Sequence, residues 1–467
     1  MMKWKALLLA LLLGIQTLAI AGLNEGVTAY EAKDYATALK ELLPLANQGN
    51  AQAQFNLGLM YANGVGVPKD AKQAVDWFRK AGVQGNANAQ FNLGLMYANG
   101  VGVPKDAKQA VDWYRKAGVQ GNANAQAMLG IMYSEGRGVP KDEKQGVDWY
   151  RKAAEQGNAG TQNQLGNMYR EGRGVPNDEK QAVAWYRKAA EQGYADAQTN
   201  LGVMYEKGTG VPKNEKQAVD WYRKAAEQGD ATAQTNLGIA YAHGYGVSKD
   251  EKLAVSWYRK AAGLGDATAQ DNLGGMYDNG TGVPKDEKQA VDWYRKAAEQ
   301  GFAMAQNNLG VAYSKGAGVP MDVVLAYMLY DIAAANGNEP ARKNRALQAE
   351  ELSRTQTAEA QSLASAWQPG KPLPRTSRTG KIIGPAKKVT AAVPQPTPPK
   401  AAKSARVPAE TVATGNCRPK TSRITCQSQC FNGDCVVTYA NGCKMRVTVA
   451  SKFNPFTSQW EYPSPDC

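Results

Sequence analysis

The stretch FNLGLMYANGVGVPKDAKQAVDW runs from Phe55 to Trp77 and returns, letter for letter, from Phe91 to Trp113. Its frame then continues down the chain at the same step. Leu-Gly stands at Leu57-Gly58, Leu93-Gly94, Leu129-Gly130, Leu165-Gly166, Leu201-Gly202, Leu237-Gly238, Leu273-Gly274 and Leu309-Gly310. A tyrosine follows each glycine, from Tyr61 to Tyr313, and tryptophan recurs from Trp77 to Trp293, with Leu329 in the eighth place. A fixed period of this length is the mark of a solenoid, in which each unit buries its apolar face only against its neighbours.

Each unit reads as two helices. Leu57, Met60 and Tyr61 fall at helical spacing within Ala53–Asn63. Gly64-Val65-Gly66-Val67-Pro68 breaks that helix, and its glycines suit a tight turn with positive φ. Asp70 followed by Gln73 opens a second helix as a capping box, and Gly85 closes it. That helix carries Ala74, Trp77, Phe78 and Ala81 on one face, with small residues such as Gly58 and Ala74 letting the helices approach.

These spaced positions resemble the Sel1-like repeat, a relative of the tetratricopeptide repeat, over Ala51–Asn338. The departures are Ser248 for the loop proline, Gly146 for the helix alanine, and Leu329 for the last tryptophan. The resemblance implies an all-α, right-handed α-solenoid of eight 36-residue helix pairs with capping helices. Expected boundaries are a signal peptide at 1–21, an N-terminal capping half-repeat at 22–52 and repeats at 53–340. A single capping helix at 341–367, a disordered basic Pro/Lys/Ala-rich linker at 368–416 and a cysteine-rich β module at 417–467 complete the chain.

The first of these rests on two lysines, an apolar run over Ala6–Ala21 and an Ala19-Ile20-Ala21 cleavage signal with no lipobox cysteine. It predicts a periplasmic or secreted protein that is not integral to a membrane after cleavage. Cys417, Cys426, Cys430, Cys435, Cys443 and Cys467 all lie in the last stretch, which in an exported chain reads as a disulfide framework of open connectivity. There Val436–Tyr439, Asn441-Gly442 and Lys444–Val449 read as a hairpin. The net charge of +13 is concentrated outside the repeats, with nine Lys/Arg against one acid over Trp367–Asn416. Such a tail can adhere to anionic envelope polymers. Nucleic acid is not an expected partner of an exported chain.

Catalytic, metal and cofactor sites are not expected. The one histidine, His243, occupies a place that elsewhere holds Asn63, Glu135 or Lys207, which reads as solvent-facing, and there is no second histidine around which to build a Ser/His/Asp set. The cysteines lack paired C-x-x-C spacing. Some cysteine-rich Sel1-like proteins resemble β-lactamase-type enzymes, but their cysteines lie inside each repeat, and residues 1–416 here have none.

Two variable rows of the first helices are the candidate partner surface. One comprises Phe55, Phe91, Asn163, Thr199, Thr235, Asp271 and Asn307, and the other includes Arg170, Glu206 and Asp278. They are seven residues apart, on one helix face. The resemblance implies that this face lines a concave groove. A third, nearly fixed row is Asn56, Asn92, Asn200, Asn236, Asn272 and Asn308. Its amides either hold an extended peptide or bond between helices. The favoured function is a non-catalytic scaffold or adaptor for protein or peptide partners. The alternatives are a peptidoglycan-binding or -modifying protein and a secreted factor binding host proteins. In this frame the first two units should present an apolar, uniform end to the groove.

Overall fold

The computed structural model describes residues 21–379 and, beyond them, the backbone of five strands between Cys426 and Glu461. Two compact units partition the chain, Met1–Ala402 and Lys403–Cys467. The first is an all-helical solenoid. Helix α1 covers described residues 21–31, and α2 is Tyr35–Asn47. Eight pairs follow, from α3 (Ala51–Asn63) and α4 (Ala71–Val83) to α17 (Ala303–Lys315) and α18 (Val323–Ala335). From α2 to α18 each helix packs on its neighbours in sequence.

Local chemistry sets the boundaries of each pair. The Asn50 side chain accepts from the Ala53 amide at 2.9 Å and opens α3. Gly64, left-handed at φ 71°, closes it. Asp70 accepts from the Lys72 and Gln73 amides and opens α4. Gly85, at φ 95°, follows the C-cap Gln84 as expected.

The Leu-Gly pair explains the close packing. Leu57 is fully buried, and a Cβ added to Gly58 would stand 2.5 Å from the Phe78 ring. The second loop glycine meets the preceding unit instead: a Cβ on Gly102 would lie 2.3 Å from the Ala71 carbonyl oxygen. Tryptophan reaches backward too, with Trp113 packing among Ala74, Phe78 and Ala81 of the unit before. Its outer face is covered by a lysine one turn on, Lys116 Nζ lying 3.9 Å from the ring centroid.

The ends differ from expectation in two places. The C-terminal cap is two helices, α19 (Glu339–Ala349) and α20 (Arg354–Ala366), because Ser353 caps a new helix in a full capping box with Gln356. Residues 368–379, expected to begin the linker, are instead bonded along the last units. Their backbone amides and carbonyls find partners on Arg295, Glu299, Tyr313, Asp322 and Glu359.

In the second unit, β1 (Cys426–Phe431), β2 (Asp434–Tyr439) and β3 (Lys444–Thr448) form an antiparallel sheet in that order. Val437 sits opposite Met445, which is the pairing of the expected hairpin strands. A separate ladder joins β4 (Lys452–Asn454) and β5 (Gln459–Glu461). The signal peptide through residue 20, the linker from residue 380, the hairpin turn and the disulfide pairing lie outside the described residues.

Candidate partner-binding surface

The first candidate row lies under the surface. Phe55, Phe91, Asn163, Thr199, Thr235, Asp271 and Asn307 are all buried. Their side chains bond within the solenoid. Asn200 Nδ2 donates to Asn163 Oδ1 at 2.9 Å, Asn308 Nδ2 to Asp271 Oδ1 at 3.0 Å, and Asn344 Nδ2 to Asn307 Oδ1 at 2.9 Å. The asparagine row and the variable row are thus two sides of one inter-unit ladder. The variable position supplies the acceptor for the amide of the next unit.

That ladder has gaps. Where the variable residue is threonine, its hydroxyl turns away: Thr199 Oγ1 donates to Asp230 at 3.0 Å and Thr235 Oγ1 to Asp266 at 3.1 Å. The amides one step further, Asn236 Nδ2 and Asn272 Nδ2, are then buried without a partner, as is Asn56 Nδ2. Asn92 Nδ2 bonds back to the Asn88 carbonyl of its own helix.

The second row serves the tyrosines of the second helices. Glu206 Oε2 accepts from the Tyr222 hydroxyl at 2.7 Å, and Ser314 Oγ from Tyr330 at 3.3 Å. Burial lifts the Glu206 and Asp278 carboxyls above their ordinary range. Arg170 pairs with Glu171 at 2.8 Å. Part of the variation between units therefore answers the needs of internal hydroxyls.

Acids gather behind the threonines. Burial raises the carboxyl of Asp230 to about 6, with Asp196 and Asp266 adding repulsion. Asp196 is raised by burial as well, and Asp271, deeper still, is pushed up to about 7. His243 is exposed and stacks on Tyr245 at 5.4 Å. Among the described residues no group of three or more His, Cys, Asp or Glu is placed to hold a metal ion.

A further row runs through the repeats. Every tryptophan from Trp77 to Trp293 is followed two residues later by arginine. Each of these arginines reaches the tyrosine hydroxyl of the next unit, as Arg79 does to Tyr97 at 3.2 Å and Arg187 to Tyr205 at 2.8 Å. This row draws a polar seam between units. Its fixed spacing was the available signal.

The helix pairs, the glycine turns and the inter-unit ladders define a helical-repeat scaffold. The pattern of the Sel1 repeat matches residues 51–86, 87–122, 123–158, 159–194, 195–230, 231–266, 267–302 and 303–338, so the chain belongs to the Sel1 repeat family. Among solved structures it is similar to a Sel1 repeat protein from Oxalobacter formigenes. The identity is 36%, covering 65% of this chain and 88% of that one, with a TM-score of 0.53. It is also similar to c5321, a protective antigen of uropathogenic Escherichia coli displaying an SLR fold. There the identity is 37%, covering 74% of this chain and 91% of that one, with a TM-score of 0.38. No curated protein matches the chain. Solenoids of this class are commonly protein-interaction scaffolds, and no described helix is long and apolar enough to cross a membrane.

Proposed function

We propose that the chain is an exported, non-catalytic scaffold whose first-helix row holds a protein or peptide partner, with the basic tail contacting anionic envelope polymers. The observation that carries this reading is the pair of amides Asn236 Nδ2 and Asn272 Nδ2, one repeat apart and without partners. An unmet buried donor costs about 1–3 kcal/mol, a cost that disappears when an acceptor arrives. Two such donors at the same place in adjacent units suit two carbonyls of a bound chain several residues apart, reached where the seam between the units opens. The acids Asp196, Asp230 and Asp266, two of which accept from Thr199 and Thr235 of the same helices, favour a partner that brings positive charge.

The test is site-specific photo-crosslinking in the full chain from position 272, which is half-buried. The expected result is capture of a discrete polypeptide partner, lost in an Asn236→Val variant of unchanged melting temperature. Capture that survives Asn236→Val, or none from this position, would overturn the reading.

A further inference from the structure

In the last seam of the solenoid the chain binds a piece of itself. An irregular strap, residues 368–379, lies over α16 (Glu287–Glu299), α17 and the start of α18. The Gly370 amide donates to the Glu299 carbonyl at 2.6 Å, and the Leu373 amide to Glu299 Oε1 at 3.0 Å. Arg295 Nη1 donates to the carbonyls of Leu373 and Pro374 at 3.3 and 3.4 Å. The Tyr313 hydroxyl donates to the Arg375 carbonyl at 3.4 Å. Ser377 donates from both its amide and its hydroxyl to Asp322, at 2.8 and 2.7 Å. Leu373 is the strap's one buried side chain. Within Leu373–Ser377 recognition thus uses main-chain groups, one leucine and one serine.

The receptors of the Leu373–Ser377 part of the strap are all repeat positions. Stepping back by whole units, Arg295, Glu299, Tyr313 and Asp322 become Arg223, Glu227, Tyr241 and Asp250, then Arg151, Glu155, Tyr169 and Asp178. The receptor geometry is already set there. Arg223 Nη2 donates to Tyr241 and Arg151 Nη2 to Tyr169, each at 3.3 Å. What differs is cover. Arg295, Tyr313 and Asp322 are 9%, 2% and 3% exposed, whereas Asp178 and Asp250 are exposed and the matching arginines and tyrosines are half-buried.

We infer that the seams between the third and fourth and between the fifth and sixth units are docking sites for a partner polypeptide carrying a non-helical Leu-Pro-x-x-Ser segment. The chain's own Leu373-Pro374-Arg375-Thr376-Ser377 shows the binding mode at the seventh seam. The partner stretch is basic, because each open seam offers a glutamate and an aspartate. The guanidinium Nη1 at both seams is held by an exposed aspartate of its own helix, Asp148 for Arg151 at 3.0 Å and Asp220 for Arg223 at 3.1 Å. Such exposed pairs are worth little and yield to an incoming carbonyl, as Arg295 does in the last seam. This surface is separate from the first-helix row proposed above.

The experiment is a titration of the full chain with a fluorescent peptide of residues 367–379 bearing a photo-crosslinker. The expected result is saturable binding with the native strap in place, and crosslinks to the third to sixth units. Glu155→Gln with Glu227→Gln removes exposed carboxylates without touching the core. It should weaken binding at least about tenfold, the worth of a hydrogen bond to a charged group. A peptide with alanine for the serine should lose as much. Absence of binding to the full chain, crosslinks confined to the seventh seam, or binding indifferent to both changes would each overturn the inference.

Discussion

Gln84 Nε2 donates to Gln54 Oε1 at 2.7 Å, and Gln54 in turn donates to the Ala46 carbonyl at 3.0 Å. The relay repeats from unit to unit, as Gln120 to Gln90, Gln156 to Gln126, Gln192 to Gln162 and Gln228 to Gln198. It staples the end of each second helix to the buried glutamine of the first. In the sixth unit the donor is missing, because Leu264 stands where the first five units and the seventh have glutamine. Gln234 Oε1 is left buried without a partner. Leu264→Gln should therefore stabilise the protein by about 1 kcal/mol, read as a higher urea midpoint. A lower midpoint would show that the relay contributes nothing.

The two near-identical units of the opening stretch make a second test. They differ at Phe78 against Tyr114, and the Tyr114 hydroxyl is buried without a partner. Its counterparts Tyr222 and Tyr330 bond to Glu206 and Ser314, but the matching position is Ala98. Tyr114→Phe should be neutral or stabilising by up to about 1 kcal/mol, whereas Tyr222→Phe should destabilise by about 1 kcal/mol by stranding a half-buried carboxylate. Unfolding curves of the two variants decide it; equal losses would refute the difference in environment.

These contrasts mark what was legible in sequence. Leu57, Gly58, Tyr61 and Trp77 announce their unit because periodicity exposes packing that recurs. Asp70 and Gly64 announce the helix ends because caps are local. The burial of Thr199 and Asp271 was not legible, since a polar residue that varies between units reads as surface. It takes the neighbouring unit, with Asn308 or Asp230 at hydrogen-bond distance, to turn it inward. The strap was equally hidden. Its composition suggests a linker, and its order comes from partners such as Arg295 and Asp322, far away in sequence.

The loop glycines separate backbone conformation from close approach. Gly121 and Gly102 both have positive φ, 91° and 72°. Nothing lies within 4 Å of a Cβ at Gly121, whereas one at Gly102 would be 2.3 Å from the Ala71 carbonyl oxygen. Gly121→Ala should cost about 1 kcal/mol, the left-handed penalty alone. Gly102→Ala should cost about 3 kcal/mol or more, because the backbone of the preceding unit must move. Thermal unfolding of the two variants measures this; equal costs would mean the seam accommodates the methyl group freely.

Asp271 gives the solenoid a pH dependence of unusual sign. Acid usually weakens proteins by protonating paired carboxylates, but here burial raises the carboxyl to about 7 with only the Asn308 amide opposing. The unfolded chain releases this proton near pH 4 and the folded chain holds it to about 7. Between those values the folded state binds more protons, so its stability falls as pH rises and levels off above about 7. Asp230, raised to about 6, adds a decline ending about one pH unit earlier. Asn163 and Asn307 occupy the same place as Asp271 and accept from the same kind of amide, so asparagine fits. Asp271→Asn should raise stability at pH 8 by on the order of 2 kcal/mol and leave it little changed at pH 4. Melting temperatures at the two pH values provide the check. A variant that gains equally at both would place the effect in packing and not in the proton.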